Sequence, residues 1–180
     1  MTWSALLFMH LPMPADRLRP AIPDGLTLET FDGQAWLGVV PFLMSGVRPR
    51  ALPPVPGTRQ FPELNVRTYV RAGDKPGVYF FSLDATSRLA VEAARLTFAL
   101  RYLRAEMRCE RDSQGWVAYH SRRTDRRGPT AELTMRYRGT GEAPAIAARE
   151  LDRFLTERYC LYAADRRGRL YRGEIHHAPW

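Results

Sequence analysis

The sequence predicts an α+β fold that is mostly β, in which one antiparallel sheet curls strongly or closes into a cone-like β-barrel with two main helices packed outside. Short apolar segments separated by turn residues recur along the chain and indicate about ten strands. Only two segments show the spacing of apolar residues that is typical of helices. No repeat or linker divides residues 1–180, so we expect a single domain.

The first half of the chain is predicted to consist mainly of hairpins. Pro14 and Pro20 frame a short helix. The dipeptide Asp32-Gly33 is typical of a tight hairpin turn, and the connector RAGDKPG predicts a second hairpin at residues 71–77. The predicted strands of this half are 3–11, 26–31, 34–42, 63–70 and 78–84.

The second half contains both predicted helices. Residues 87–102 form the first, because Leu89, Ala93, Leu96 and Leu100 fall at helical spacing. Residues 144–158 form the second, with Pro144 in its first turn and a buried stripe of Ala147, Leu151, Phe154 and Leu155. The predicted strands of this half are 104–111, 116–124, 131–138, 159–164 and 169–176.

Composition points to a soluble cytoplasmic protein without a cofactor. The chain is 45% hydrophobic and 26% charged, and no apolar run approaches the roughly 20 residues of a membrane-spanning helix. The N-terminus lacks the features of a signal peptide. Cys109 and Cys160 are isolated, and neither a phosphate-binding loop nor metal-ligand spacing is present, so we predict no metal and no cofactor.

The basic charge of the chain is the only support for nucleic-acid binding. The formal net charge is +8, and Lys75 is the only lysine among 27 basic residues. The arginines are scattered along the whole chain, which indicates a compositional bias rather than a phosphate-binding surface. Arginine pairs at predicted hairpin ends are typical of solvated turns, so nucleic acid is the least favoured partner.

Strand 63–70 carries the candidate site. Side chains alternate along a strand, so Glu63, Asn65, Arg67 and Tyr69 share one face. Such a row either faces water or lines a pocket. The proline-rich segment 47–62 leads directly into this strand, and we expect this long loop to cover the polar face.

The residue types in this row suggest acid–base chemistry on an anion. Arg67 is expected to anchor a carboxylate through two hydrogen bonds, and Glu63 to act as acid or base if burial raises its pKa. The two residues are about 13 Å apart along the strand, so they bracket a ligand rather than pair. Asn65, Tyr69 and His10 are further substrate-binding candidates. The alternative is that these side chains only make structural bonds to neighbouring strands.

Several segments together resemble the YqjF-like family of uncharacterised bacterial proteins, which looks like a branch of the acetoacetate decarboxylase-like superfamily. They are FPELNVRTYV, GVYFFSLDA, ERYCLY, EIHHAPW and the N-terminal stretch from LFMHLPMP to GVVPF. The resemblance covers nearly the whole chain. The resemblance implies that members of the family continue past HHAPW, so we expect that a C-terminal segment is missing.

The resemblance implies a barrel with an interior pocket but not the decarboxylase chemistry. Those enzymes use a pocket lysine that forms a Schiff base and a second lysine beside it. Here the lysine pair falls near Leu100-Arg101-Tyr102, and arginine cannot replace lysine as the nucleophile. The resemblance places Glu63 on a pocket glutamate and His10 near a pocket arginine.

We therefore carry three hypotheses forward from the sequence. The first is a lyase-like enzyme that acts on a small carboxylate or carbonyl compound without a Schiff base. The second is a non-catalytic barrel that binds a small apolar or acidic ligand, and the third is a nucleic-acid module. We predict that the partner is a small molecule and that the protein does not associate with a membrane. A homo-oligomer is compatible with the sequence.

Overall fold

The computed structural model of the protein describes residues 2–46, 60–141, 149–165 and 167–175. Its strands are β1 Thr2–Ser4, β2 Met9–Met13, β3 Thr27–Leu28, β4 Ala35–Ser45, β5 Gln60–Ala72, β6 Lys75–Ala85, β7 Tyr102–Arg111, β8 Val117–Arg123, β9 Glu132–Tyr137, β10 Cys160–Ala164 and β11 Leu170–Glu174. Its helices are α1 Ala15–Leu18, α2 Arg88–Phe98 and α3 Glu150–Thr156, and a 3-10 turn, Arg19–Ala21, follows α1.

One curled sheet contains all of these strands and confirms the predicted mostly-β, largely antiparallel fold. The main path runs β1-β4-β5-β6-β7-β8-β9, with β2 on β4, β3 on β5, and β10 joining β6 to β11. β6 pairs in parallel with β7 and β10. Tyr137, at the β9 end of this path, donates a hydrogen bond to the carbonyl oxygen of Ala5, just after β1 at the other end. The sheet is therefore a half-barrel whose two ends approach each other.

The central hairpin forms as predicted. β5 and β6 pair from Glu63 opposite Ala85 to Ala72 opposite Lys75, with a turn at Gly73-Asp74. A bulge between Val66 and Arg67 shifts the register of the pair by one residue. The bulge leaves the alternation within β5 intact, so the predicted face is preserved.

Two N-terminal predictions need correction. The predicted strand 3–11 is divided into β1 and β2, because Ala5 adopts a φ of 49° that no continuous strand contains. The Asp32-Gly33 turn forms, with φ of 50° and 75°, but the segment before it pairs mainly with β5 rather than β4. Leu26 and Leu28 pack against Val70 and Tyr79, and this burial directs β3 to β5.

Both predicted helices exist, although the first uses a different face. In α2, Val91 is fully buried while Leu89 is 66% exposed, so the stripe expected around Leu89 and Ala93 does not form the contact. The helix instead inserts Val91 into a cluster that includes Phe42. In α3 the predicted Leu155 is buried, whereas Pro144 and Ala147 lie outside the described residues.

The two helices cover the same face of the sheet, the face that carries Glu63. α2 packs on an apolar cluster around Phe42, Val40 and Phe61, and α3 packs on a second one around Tyr69, Phe80 and Leu83. The opposite face holds a third cluster with Val70, Tyr79 and Tyr162. The loop predicted to cover the site, 47–59, lies outside the described residues, as do His176 and His177. None of the described helices has the length and apolarity needed to span a membrane.

Candidate functional site

β5 brings the predicted polar residues to one buried face of the sheet. Glu63 is 2% exposed, Asn65 5% and Arg67 8%, and Tyr69 is fully buried. The residues across from them on β4 are Phe42, Val40 and Gly38 in that order. The row therefore lies between the two apolar clusters under α2 and α3. Burial of this face confirms that it does not point into bulk water.

Glu63 is a buried carboxyl group that has no cation partner among the described residues. The Tyr102 hydroxyl donates to it, at 3.2 and 3.3 Å from its two oxygens, and the Tyr119 hydroxyl donates to its main-chain carbonyl at 2.7 Å. Burial raises the pKa of Glu63 from 4.5 to about 8, although hydrogen bonds from Tyr102 and Asn65 oppose the shift. At neutral pH this carboxyl group carries a proton that it can donate.

Arg67 is buried without a carboxylate partner among the described residues. Its Nη2 donates to the carbonyl oxygen of Leu155 in the last turn of α3, at 3.2 Å. The guanidinium lies 5.2 Å from the centre of the Phe8 ring and 5.7 Å from that of Tyr69. Its Nε makes no hydrogen bond within the described part of the chain. The positive charge is stabilised by a carbonyl and two rings but is not neutralised, which suits an anion-binding group.

Gly38 provides the room in which Arg67 lies. It is the residue opposite Arg67 on β4, and a Cβ atom at this position would come within 3.2 Å of Arg67 Cγ and 3.5 Å of Arg67 Nε. Even an alanine side chain would require the Arg67 side chain to shift by a few tenths of an ångström. The small residue therefore sets the position of the cation.

His10 and Tyr69 close the Arg67 end of the row. The Tyr69 hydroxyl lies 2.7 Å from His10 Nε2 and donates to the Leu155 carbonyl at 2.8 Å. Because the hydroxyl has one proton, His10 Nε2 must be the donor of the shorter contact. Burial, followed by the charge of Arg67, lowers the pKa of His10 to about 4. His10 is thus neutral, and both residues help to hold α3; their predicted contact with substrate stays a prediction.

The expected open cavity around this row is not supported by the structure. Two clefts are prominent in the described chain, and neither contains a residue of the polar row. One is lined by residues of α1 and β3, including Asp16 and Arg19, and the other by Glu29, Arg71 and residues of α3. A pocket around the row therefore stays a prediction.

Sequence reasoning missed Tyr102 and Tyr119 as site residues. Tyr102 begins β7, directly after the α2 segment, and reaches the Glu63 carboxyl group from there. The resemblance already contained a signal, since it places the absent lysine pair at residues 100–102. No cluster of three or more His, Cys, Asp or Glu side chains suited to a metal occurs in the described part of the chain.

The half-barrel is the fold of acetoacetate decarboxylase-like proteins. It is similar to the acetoacetate decarboxylase of Legionella pneumophila, with a TM-score of 0.60 and 11% identity, over 94% of this chain and 63% of that one. It is also similar to an acetoacetate decarboxylase-like enzyme from Sphingomonas wittichii RW1, with a TM-score of 0.56 and 18% identity, over 88% of this chain and 61% of that one. The chain thus spans less than two thirds of either solved structure.

Within that fold class the chain belongs to the DUF2071 family of uncharacterized conserved proteins, whose sequence profile matches residues 1–180. It is 45% identical to the uncharacterized protein YqjF of Bacillus subtilis strain 168 over 180 residues, which are 99% of this chain and 72% of that protein. The predicted family resemblance is confirmed. A fold shared at such low identity with the decarboxylases carries no activity with it.

Proposed function

We propose that this protein is a lyase-like enzyme that acts on a small carboxylate or carbonyl compound by acid catalysis at Glu63. The observation that carries the proposal is a buried, protonated carboxyl group on the same strand face as Arg67, a buried guanidinium with no described carboxylate. Perturbed titratable groups beside an uncompensated charge are typical of catalytic sites.

The residues of the row have distinct roles in this mechanism. Arg67 binds the carboxylate of the substrate and fixes its orientation. As a C–C or C–O bond of the substrate breaks, its electron pair moves to a substrate oxygen. Glu63 gives its proton to that oxygen, so that an O–H bond forms and a carboxylate is left at Glu63. The Tyr102 hydroxyl stabilises that carboxylate by its hydrogen bond.

The mechanism does not use an imine. Lys75, the only lysine of the chain, begins β6 at the outer end of the hairpin. Its side chain is 45% exposed and its Nζ lies 3.4 Å from a carboxylate oxygen of Glu174. This exposed, ion-paired amine lies away from the polar row on β5. Borohydride trapping with a 3-oxo acid is expected to give no covalent adduct.

A non-catalytic binding barrel is the second candidate. It is favoured by one observation: apolar side chains surround the polar row, with Val40, Phe42, Phe80 and Leu83 directly across from it. Such a lining suits a small apolar or acidic ligand that is held without reaction. Cytoplasmic location and homo-oligomer formation stay predictions from the sequence, and nucleic-acid binding is supported only by the basic charge of the chain.

Turnover of a substrate panel by the full chain tests the proposal. Proton NMR would follow 2-oxo, 3-oxo and hydroxy carboxylates of three to six carbons, with wild type, Glu63→Gln, Arg67→Lys and a surface control, Glu106→Gln. We expect turnover of at least one compound by wild type and by the control. Glu63→Gln should lower its rate about 100-fold or more, the usual effect of losing a general acid.

The pH profile identifies the role of Glu63. If the protonated form acts, the rate should fall as pH rises through about 8. Binding that depends on Arg67 without turnover of any compound would favour the binding barrel. If wild type neither binds nor converts any carboxylate in the panel, the proposed function is wrong.

A further inference from the structure

Two buried polar atoms at neighbouring positions of the row lack a hydrogen-bond partner. Asn65 Oδ1 is an acceptor and Arg67 Nε is a donor, and neither makes a hydrogen bond with any residue that the structure describes. Buried polar groups are nearly always paired, so an unpaired acceptor and donor at adjacent same-face positions indicate an absent partner. In the orientation that the structure gives the amide, its NH₂ group donates to the Glu63 carboxyl group, which leaves Oδ1 as the unpaired atom.

The protein cannot supply the missing partners from the strands beside them. Asn65 lies between Val40 on β4 and Leu83 on β6, and Arg67 lies between Gly38 and Phe80. None of these four has a polar side chain. Two same-face residues of a strand are roughly 7 Å apart, a distance that a ligand of two or three carbons with a hydrogen bond at each end can bridge.

We infer that the site selects a small 2-hydroxy monocarboxylate, whose carboxylate accepts from Arg67 and whose hydroxyl donates to Asn65 Oδ1. The inference rests on the proposed function for the carboxylate on Arg67, and it adds the hydroxyl as the group that sets specificity. A carboxylate lacking the hydroxyl leaves the Asn65 acceptor buried and unpaired, which costs affinity.

The charge of the site favours this class over its relatives. Glu63 and His10 are neutral, so Arg67 is the charged member of the row. A ligand with one negative charge therefore neutralises the site, whereas a ligand with two would leave a buried negative charge unpaired. A 2-amino acid would also donate to Asn65. Its ammonium group would then lie beside the guanidinium of Arg67, where like charges repel.

Binding of matched ligands to the full chain tests the inference. Calorimetry or ligand-observed NMR would compare lactate with propanoate, which lacks the hydroxyl, with lactamide, which lacks the charge, and with alanine, which replaces the hydroxyl by an ammonium group. We expect lactate to bind about tenfold or more tightly than propanoate, as one buried hydrogen bond predicts. Lactamide and alanine should bind more weakly than lactate.

Variants assign the two contacts. Asn65→Leu should bring the affinity for lactate down to that for propanoate, while Arg67→Met should weaken both. Ser82→Ala, a buried polar change on the other face of the sheet, should leave both affinities unchanged. If Asn65→Leu does not fold, lactate against 2-methylpropanoate on wild type still measures the preference for a hydroxyl over a methyl group.

The outcomes separate this inference from the proposed function. Equal binding of lactate and propanoate through Arg67 would overturn the hydroxyl contact and leave the carboxylate site in place. Binding of neither would overturn both. A crystal structure with a single water joining Asn65 Oδ1 to Arg67 Nε, unchanged by 100 mM lactate, would show that solvent is the missing partner and the inference is wrong.

Discussion

The two faces of the β5–β6 hairpin differ in how their buried ionisable groups are arranged: those on one face form an ion pair, and those on the other do not contact each other. On one face Arg123 forms an ion pair with Asp84. Arg123 Nε lies 3.1 Å from both carboxylate oxygens of Asp84. Arg123 Nη2 lies 3.0 Å from one of these oxygens and 2.9 Å from Ser82 Oγ. The two side chains are 6% and 3% exposed. On the other face Glu63 and Arg67 are also buried, but on one strand and about 13 Å apart.

This difference separates a structural pair from a chemical site. Arg123 and Asp84 neutralise and satisfy each other, so neither has capacity left for a ligand. A further nearly buried arginine, Arg158, is likewise paired, with Glu29. Glu63 instead avoids its charge by holding a proton, and Arg67 keeps its charge beside a carbonyl and two rings. Their separation leaves the two groups unpaired with each other, as the proposed function requires.

Breaking the structural pair should have the largest effect on stability. Arg123→Met leaves Asp84 buried without its cation, which costs about 3–5 kcal/mol in the free energy of unfolding. Denaturant unfolding at pH 7 measures this loss. A loss below about 1 kcal/mol would mean that solvent reaches Asp84 and that the two faces do not differ as described. Changing both partners, with Asp84→Leu added, should recover part of the stability.

On the face that carries Glu63, we expect the free energy of unfolding to depend on pH. Because the folded-state pKa of Glu63, about 8, lies above its ordinary value of 4.5, the folded protein holds a proton that the unfolded chain releases between these pH values. The stability contributed by this group is complete below pH 4.5 and is lost as pH rises through 8, at up to about 1.4 kcal/mol per pH unit.

Glu63→Gln isolates this contribution from the other titrating groups. The variant resembles the protonated wild type, so its stability should match wild type near pH 5 and exceed it near pH 9 by several kcal/mol at most. Denaturant unfolding of both proteins across this range gives the difference directly. Parallel stability curves for the two proteins would mean that Glu63 is ionised in the folded state and cannot be the acid.

Neutralising Arg67 should cost far less than neutralising Arg123. Arg67→Met removes one hydrogen bond to Leu155 and two ring contacts but leaves no described carboxylate unpaired, so we expect a loss of about 1.5 kcal/mol or less. The same unfolding measurement compares the two methionine variants. Equal losses would identify Arg67 as a structural residue whose partner lies outside the described chain.

Much of the fold followed from the sequence because its signals are local. The Gly/Asp/Pro connector at 71–77 and the alternation from Glu63 to Tyr69 predicted the central hairpin and its buried face, and both are present. The face of α2 was mispredicted, since Leu89 and Val91 are both apolar and only the position of the Phe42 cluster decides which is buried. Burial of this kind depends on partners distant in sequence.

The candidate site was predicted only in part, because some of its contacts are local in sequence and others are long-range. Residues of one strand share a face by geometry alone, so the row on β5 could be read from spacing. The partners from β2, β7 and α3 could not, because the contacts of His10, Tyr102 and the Leu155 carbonyl depend on long-range packing. Whether the row binds or converts a ligand is a question of chemistry that spacing does not answer.

The smallest predicted effect concerns the two tyrosines that contact Glu63. It tests whether a hydrogen bond to the carboxyl oxygens sets the pKa of Glu63. The Tyr102 hydroxyl touches the carboxyl oxygens and lowers the pKa of Glu63 against the larger effect of burial, whereas the Tyr119 hydroxyl contacts only the main-chain carbonyl. Each tyrosine-to-phenylalanine change removes one hydrogen bond and should cost about 1 kcal/mol in unfolding free energy. The pKa of Glu63, followed by carbon-13 NMR, should rise further in Tyr102→Phe.

Tyr119→Phe is the matched control for that titration, since it removes a hydroxyl that bonds to the main chain of the same glutamate without touching the titrating atoms. Its Glu63 pKa should stay close to that of wild type. If the two variants shift the pKa equally, the effect comes from a general loosening around β5 rather than from Tyr102. A shift confined to Tyr102→Phe means that β7 positions the acid, and that a tyrosine now contacts the glutamate near the place where the resemblance puts the absent lysines.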